Sequence, residues 1–155
     1  MRIAFISNPN IIHTRRWINW FARHGHQTIL FADQPLAKPW PGIEIIELPQ
    51  FSRLRKLRYL YWGYYIKSFS QKWKPDILHA HRVNSAGWAG AFTGHPRVVV
   101  TPWGSDLFVH AQNSVIWQAF ARFVFHRAVM VTAPSMELVS LAIRLGAKPE
   151  SSFLI

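Results

Sequence analysis

Cysteine is missing altogether from this chain of 155 residues. Its absence removes disulfide frameworks and thiolate metal sites, and it fits a reducing compartment. Acidic residues are scarce: seven Asp and Glu stand against 18 Lys and Arg, a net charge of +11. Long apolar runs are lacking too, since none approaches the roughly 18 residues that cross a bilayer. The first run, Ile3 to Ile6, stops at Ser7-Asn8-Pro9-Asn10 and is too short for a signal-peptide core. A protein made and kept in the cytoplasm is expected. Repeats, low-complexity tracts and Gly/Ser linkers are also wanting. One domain over 1–155 follows, long enough to bury roughly 70% of its unfolded surface.

What is present is half hydrophobic and only 16% charged, the balance of a globular chain. Aromatics make up 15%, with eight tryptophans. A basic, aromatic-rich surface suits an anionic partner: nucleic acid, an anionic membrane or a phosphorylated substrate. Charge alone does not choose among them.

Short apolar runs alternate with longer helical stretches. Strands are expected at Arg2–Ser7, Gln27–Ala32, Ile43–Leu48, Asp76–Ala80, Arg97–Thr101, Val129–Ala133 and Ser152–Ile155. Helices are expected at Ile12–His24, closed by Gly25, then Phe51–Trp73, Asn84–Phe92, Ser114–Arg127 and Ser135–Leu145, with Ser135 as N-cap. This alternation predicts an α/β, Rossmann-like, three-layer domain around a parallel sheet. Ligands bind such sheets at the carboxyl ends of the strands, so segments 7–14, 79–86, 101–112 and 133–137 hold the candidate site.

Segment 7–16 has no glycine where a dinucleotide enzyme carries Gly-x-Gly-x-x-Gly, which excludes nicotinamide and flavin chemistry there. His13, Arg15 and Arg16 open the next helix, where an anion or a polar sugar group is favoured. The alternative is that Asn10 caps that helix and the arginines are solvated. His79 and His81 share one face of their strand. They form a metal pair without a third ligand, or a buried hydrogen-bonded His79 with His81 emerging at the cleft. Asp106, in the tight Pro102-Trp103-Gly104-Ser105-Asp106 loop, receives a substrate hydroxyl or else caps the local turn.

In this order, "MRIAFIS…HTRRWINWFARHGHQTILFA", "KPDILHAH", "VVVTPWGSDLF" and "AVMVTAPSMELVSLAIRLGA" resemble the N-terminal domain of family 4 (group 1) glycosyltransferases, one half of a GT-B fold. The resemblance implies a retaining transfer from a nucleotide diphosphate sugar to an acceptor hydroxyl, usually without a required metal. The acceptor would rest on this domain and the donor mainly on a C-terminal domain. It implies Asp106 and His81 as catalytic candidates, and Asn8, His13, Arg16, Trp103, Gly104, Ser105 and Ser135 as substrate-binding ones. Many relatives have histidine where Trp103 stands; tryptophan can stack on a sugar ring but cannot shuttle protons. The chain stops about where such enzymes cross into the linker, so the partner domain is expected outside it, and the fragment alone is expected to be inactive.

Phe51–Lys74 carries Arg53, Arg55, Lys56, Arg58, Lys67, Lys72 and Lys74, no acid, and eight aromatics. On a helical wheel Leu54, Leu57, Tyr61, Tyr65 and Phe69 form an apolar stripe, and Tyr59, Trp62 and Ile66 widen it. Either these aromatics fill a deep interdomain or core groove, or Arg53, Arg55, Lys56, Arg58, Trp62 and Lys67 face an anionic membrane bearing a lipid-linked or envelope-polysaccharide acceptor. Nucleic acid is the rival partner, although no nucleic-acid-binding signature accompanies the charge. A catalytically idle sugar- or lipid-binding recruitment module is the alternative to an enzyme.

Overall fold

The computed structural model describes residues 1–50, 57–111 and 114–155. Among them, seven strands run parallel in one sheet in the order β3-β2-β1-β4-β5-β6-β7. They are β1 (Arg2–Ser7), β2 (Gln27–Ala32), β3 (Glu44–Glu47), β4 (Ile77–His81), β5 (Val98–Thr101), β6 (Ala128–Ala133) and β7 (Ser152–Leu154). The helices are α1 (Ile12–Arg23), α2 (Arg58–Trp73), α3 (Trp88–Phe92), α4 (Val115–Arg127) and α5 (Met136–Arg144). The expected Rossmann-like α/β architecture is the one found.

Right-handed crossovers explain the layering. The chain steps outward from β1 to β2, which puts α1 on one face with Phe5, Leu30 and Ile18. It then returns from β3 to β4 and continues to β7, so residues of α2, α3, α4 and α5 join a larger core on the other face, around Ile6, Phe31, Leu78 and Val100. The α1 side is thinly covered beyond β5. Phe153 pairs with Thr132 and shares its face with Met130 two residues earlier, and Met130 and Phe153 are both exposed.

Two boundaries differ in ways that matter. β4 runs on through His81, and the next segment is a π-helical turn, Arg82–Gly87, ahead of a short α3. Arg82 enters that turn with φ 78°, a left-handed conformation that costs a non-glycine residue of order 1–3 kcal/mol. The start of α2 also stands elsewhere: Leu57 is its N-cap residue, and Arg53, Leu54, Arg55 and Lys56 lie outside the described residues.

The apolar stripe of α2 is rotated from the expected one. Trp62, Gly63 and Ile66 are buried, while Leu57 and Tyr61 are exposed. Gly63 sets this orientation: a Cβ there would lie 2.6 Å from Phe92 Cβ and 3.1 Å from the Ala89 carbonyl oxygen, so α2 and α3 touch backbone to backbone. Trp62 is therefore a core residue that donates from Nε1 to the Pro49 carbonyl at 2.8 Å. It does not face a membrane. Arg58 is half-buried, with its guanidinium 5.0 Å from the Tyr59 ring centroid and 5.1 Å from that of Trp62. Lys67 is exposed. Among the described residues, no helix is long and apolar enough to cross a membrane.

Candidate functional site

The carboxyl ends of β1, β4, β5 and β6 bring the candidate loops to one rim. After β1, Ser7 Oγ and Thr14 Oγ1 lie 2.7 Å apart and buried, fixing the first turn of α1. Asn8 Oδ1 accepts the Asn10 amide at 2.9 Å. Asn10 does not cap α1, whose N-cap position is Ile11. Its side chain instead donates to the Pro35 carbonyl and accepts the Ala37 amide, both at 2.8 Å, tying down the loop after β2. Arg15 is engaged rather than solvated: it donates to the Pro9 and Lys38 carbonyls and lies over the Trp40 ring at 4.9 Å. Arg16 is exposed, at the edge of an apolar concavity with Trp17, Trp20 and Phe21.

His79 and His81 project to the α1 side, where Phe5 and Trp17 pack on both rings. The imidazoles meet edge to face, 4.7 Å between centroids. His79 Nε2 lies 2.7 Å from Thr101 Oγ1, which lies 2.7 Å from Thr132 Oγ1. Thr101 has one hydroxyl proton, so it donates along at most one of these contacts and accepts along the other. His79 is thus the buried, hydrogen-bonded histidine that was expected. His81 does not emerge at the cleft. It is 0% exposed, and neither ring nitrogen has a hydrogen-bond partner among the described residues. The Trp103 indole lies over it at 5.3 Å, and the exposed His13 packs edge-on to Trp103 at 5.8 Å. His13, Trp17, Thr101, Trp103 and Pro134 line a concavity of about 210 Å³ at this point.

Burial pushes His79 down to about 3 and holds His81 well below the ordinary histidine range, with His79 and His13 adding to the depression at His81. Both rings are neutral near pH 7. Below about pH 6.5 the unfolded chain takes up protons on these imidazoles while the folded chain resists. Their contribution is therefore complete above pH 6.5 and is lost as pH falls toward 3. Unfolding free energy from urea titrations should drop by about 1.4 kcal/mol per pH unit for each buried histidine in that window. A flat profile between pH 6.5 and 5 would refute the neutral, buried pair.

Asp106 is buried, and both oxygens are occupied by main-chain donors. Oδ2 accepts Val83 N–H at 2.7 Å, and Oδ1 accepts Trp103 N–H at 3.1 Å and Gly104 N–H at 3.0 Å. The carboxylate joins the turn after β4 to the loop after β5. Gly104 carries φ 118°, which a side chain would resist, and Ser105 beside it is exposed. Ser135 caps α5 by accepting the Leu138 amide at 3.3 Å. Among the described residues, no group of three His, Cys, Asp or Glu is arranged to hold a metal ion.

Sequence reasoning missed Asp33. It follows β2, is 5% exposed, and leaves Oδ1 buried without a partner. Its other oxygen accepts a long contact from Ser85 Oγ, 3.5 Å away. Burial raises its pKa, and the charges of Arg82 and Arg58 partly offset that rise. The signal was available: a lone aspartate ends the apolar run Thr28–Ala32 in a chain with seven acids.

With this geometry in place, comparison with known proteins narrows the class. The glycosyl transferase 4-like family model matches residues 2–135. No curated protein matches the chain by sequence. Among solved structures, sucrose-phosphate synthase from Thermosynechococcus elongatus superposes with a TM-score of 0.76 at 17% identity, over 100% of this chain and 47% of that one. The lipopolysaccharide outer core galactosyltransferase WaaB gives 0.71 at 17%, over 98% of this chain and 44% of that one. UDP-N-acetylglucosamine 2-epimerase from Rickettsia bellii gives 0.71 at 13%, over 99% and 44%. The chain spans a little under half the length of these proteins. At such identities the likeness is one of fold.

Proposed function

The chain belongs to the glycosyl transferase 4-like family, and from that premise we propose that it is the acceptor-side half of a retaining, nucleotide-diphosphate-sugar-dependent glycosyltransferase. The fold alone does not separate transferase from epimerase, since structures of both kinds superpose on it. Family membership favours the transferase. The observation that carries the site reading is the aromatic series His13, Trp103 and His81 at the carboxyl edge of the sheet, where His13 and Trp103 line a concavity and the buried His81 behind them has two ring nitrogens lacking partners among the described residues.

In this reading Trp103 stacks on a sugar ring, as amphipathic aromatic faces do. Asn8, His13, Arg16, Gly104, Ser105 and Ser135 border the substrates. His81 supplies a neutral imidazole beneath Trp103, able to accept or donate one hydrogen bond when the indole shifts. Asp106 acts through the loop it holds rather than as a proton carrier, because its oxygens are already spent on three amides. Diphosphate binding and the acidic groups come from a second domain, and a UDP-sugar is the natural donor class. An M. jannaschii UDP-GlcNAc 2-epimerase of this fold is described in complex with UDP-GlcNAc and UDP. The likeness to WaaB favours an envelope glycan as acceptor.

The test is a nucleotide-sugar turnover assay on residues 1–155 alone and joined to a C-terminal partner domain. No turnover alone and transfer with retained anomeric configuration after joining are expected. Turnover by the single chain would overturn the half-enzyme reading, and an inverted product would overturn the retaining one.

Attachment to an anionic membrane surface is the second reading. It rests on the exposed face of α2, where Leu57, Leu60, Tyr61 and Tyr64 stand beside Lys67.

A further inference from the structure

The rim of the sheet carries a second polar cluster, on the α2 side of β1 and away from the Trp103 stack. Asp33 leaves the end of β2 hydrogen-bonded through its amide to the Ser7 carbonyl, and its side chain meets Ser85 from the turn after β4. The Asp33–Ser85 contact therefore reaches past the end of β1, the strand between β2 and β4. Arg82 from that turn and Arg58 from the first turn of α2 act electrostatically on Asp33.

Three features of this cluster have no structural account. Among the described residues, Asp33 Oδ1 is buried with no donor, and Arg58 Nε is buried with no acceptor. Arg82 holds a left-handed backbone conformation although it is not glycine. An unmatched buried acceptor or donor is costly, and the strain at Arg82 adds to that cost. A cluster that is under-satisfied and strained at once, at the ligand edge of a parallel sheet, is poised for a ligand that supplies the missing partners.

We propose that Asp33, Ser85, Arg82 and Arg58 form an acceptor subsite that takes a hydroxylated molecule bearing a phosphate or comparable anionic group. The missing partners define that chemistry. Asp33 Oδ1 needs a hydroxyl donor, which a sugar or polyol provides. Arg58 Nε lacks an acceptor among the described residues, and the two guanidiniums that act on Asp33 outweigh its one carboxylate, so an anion on the ligand is favoured over a neutral group. Ser85 can donate or accept at the junction. This inference rests on the transferase reading for the word acceptor, while the binding chemistry stands on the cluster itself.

The experiment titrates the chain with three soluble probes, a hexose 6-phosphate, the parent hexose and inorganic phosphate, followed by amide and side-chain NMR shifts. A parallel arm adds phosphatidylglycerol vesicles, whose headgroup carries the same hydroxyl-plus-phosphate chemistry. The hexose phosphate should bind more tightly than phosphate, and the hexose least. Arg82→Gln should weaken hexose phosphate and phosphate alike, and Asp33→Asn should weaken hexose phosphate only, each by about ten- to a hundredfold in Kd. Lys148→Gln, an exposed charge ahead of β7, should change neither. Binding to the vesicles that Arg82→Gln abolishes would assign the subsite to a lipid headgroup; binding of the soluble probe alone would assign it to a free sugar phosphate.

Equal binding of hexose phosphate to the wild type and both cluster variants, or a loss in Lys148→Gln as large as in Arg82→Gln, would overturn the subsite. The two readings fail separately. Transfer by the completed enzyme with acceptor KM unmoved by Asp33→Asn removes the subsite and keeps the transferase. Probe binding at the cluster without any transfer removes the transferase and keeps the subsite.

Discussion

Replacing Asp106 by alanine is expected to lower the unfolding free energy by about 3 kcal/mol and the transfer rate of the completed enzyme by about a hundredfold. The carboxylate is buried and accepts three amide protons from two loops. Hydrogen bonds to a charged group are worth about 1.5–3 kcal/mol each, and they are not additive when they share one carboxylate. Removal leaves the Val83, Trp103 and Gly104 amides facing a void. The loop that carries Trp103 then loses its anchor, and displacement of a positioning loop by about an ångström is enough for the activity loss. Asparagine keeps the volume and one acceptor oxygen, so Asp106→Asn should fall between wild type and alanine. Urea denaturation and steady-state rates check this. A stability loss below about 1 kcal/mol in Asp106→Ala would show that the amides find other partners.

Trp62→Ala carries the other large expected effect, about 4 kcal/mol of lost stability. Trp62 is 0% exposed, at the contact where α2 meets the sheet and α3, and its indole nitrogen holds the Pro49 carbonyl. Tyr64, two residues on, is 69% exposed, and Tyr64→Ala should stay within about 0.5 kcal/mol of wild type. Vesicle flotation reverses the order of interest. Tyr64→Ala and Lys67→Gln should weaken binding to anionic vesicles while leaving the fold intact, since aromatic and cationic side chains on an exposed face are what an interface engages. Equal, negligible binding of the wild type to anionic and neutral vesicles would end the membrane reading.

The pattern of strands and helices was legible because an all-parallel sheet writes itself as short apolar runs separated by helix-length segments. Gly25 and Ser135 were legible for local reasons: a left-handed closing residue at φ 78° and a hydroxyl cap. The face of α2 was not legible. A helical wheel weighs all apolar residues alike, whereas Gly63 decides which side of α2 can approach α3, and glycine carries no hydrophobic weight. The site was half legible for a similar reason. Alternation on β4 correctly put His79 and His81 on one face, but their depth depends on Trp103 and Trp17 arriving from other elements. Asp33 and its arginines escaped notice because their meeting past the end of β1 is purely tertiary.

The uneven cladding of the sheet gives its strands different lifetimes against opening. β1 and β4 lie at the centre, with α1 on one side and the larger core on the other, so their amides should open only with the whole domain. Along β6 and β7 one face stands bare at Met130 and Phe153, and less apolar surface must be exposed to peel that edge away. The rim that carries Ser7 and His81 is thus built on the slowest-opening part of the molecule. Thr132, which completes the hydroxyl chain from His79, sits on the part that breathes first.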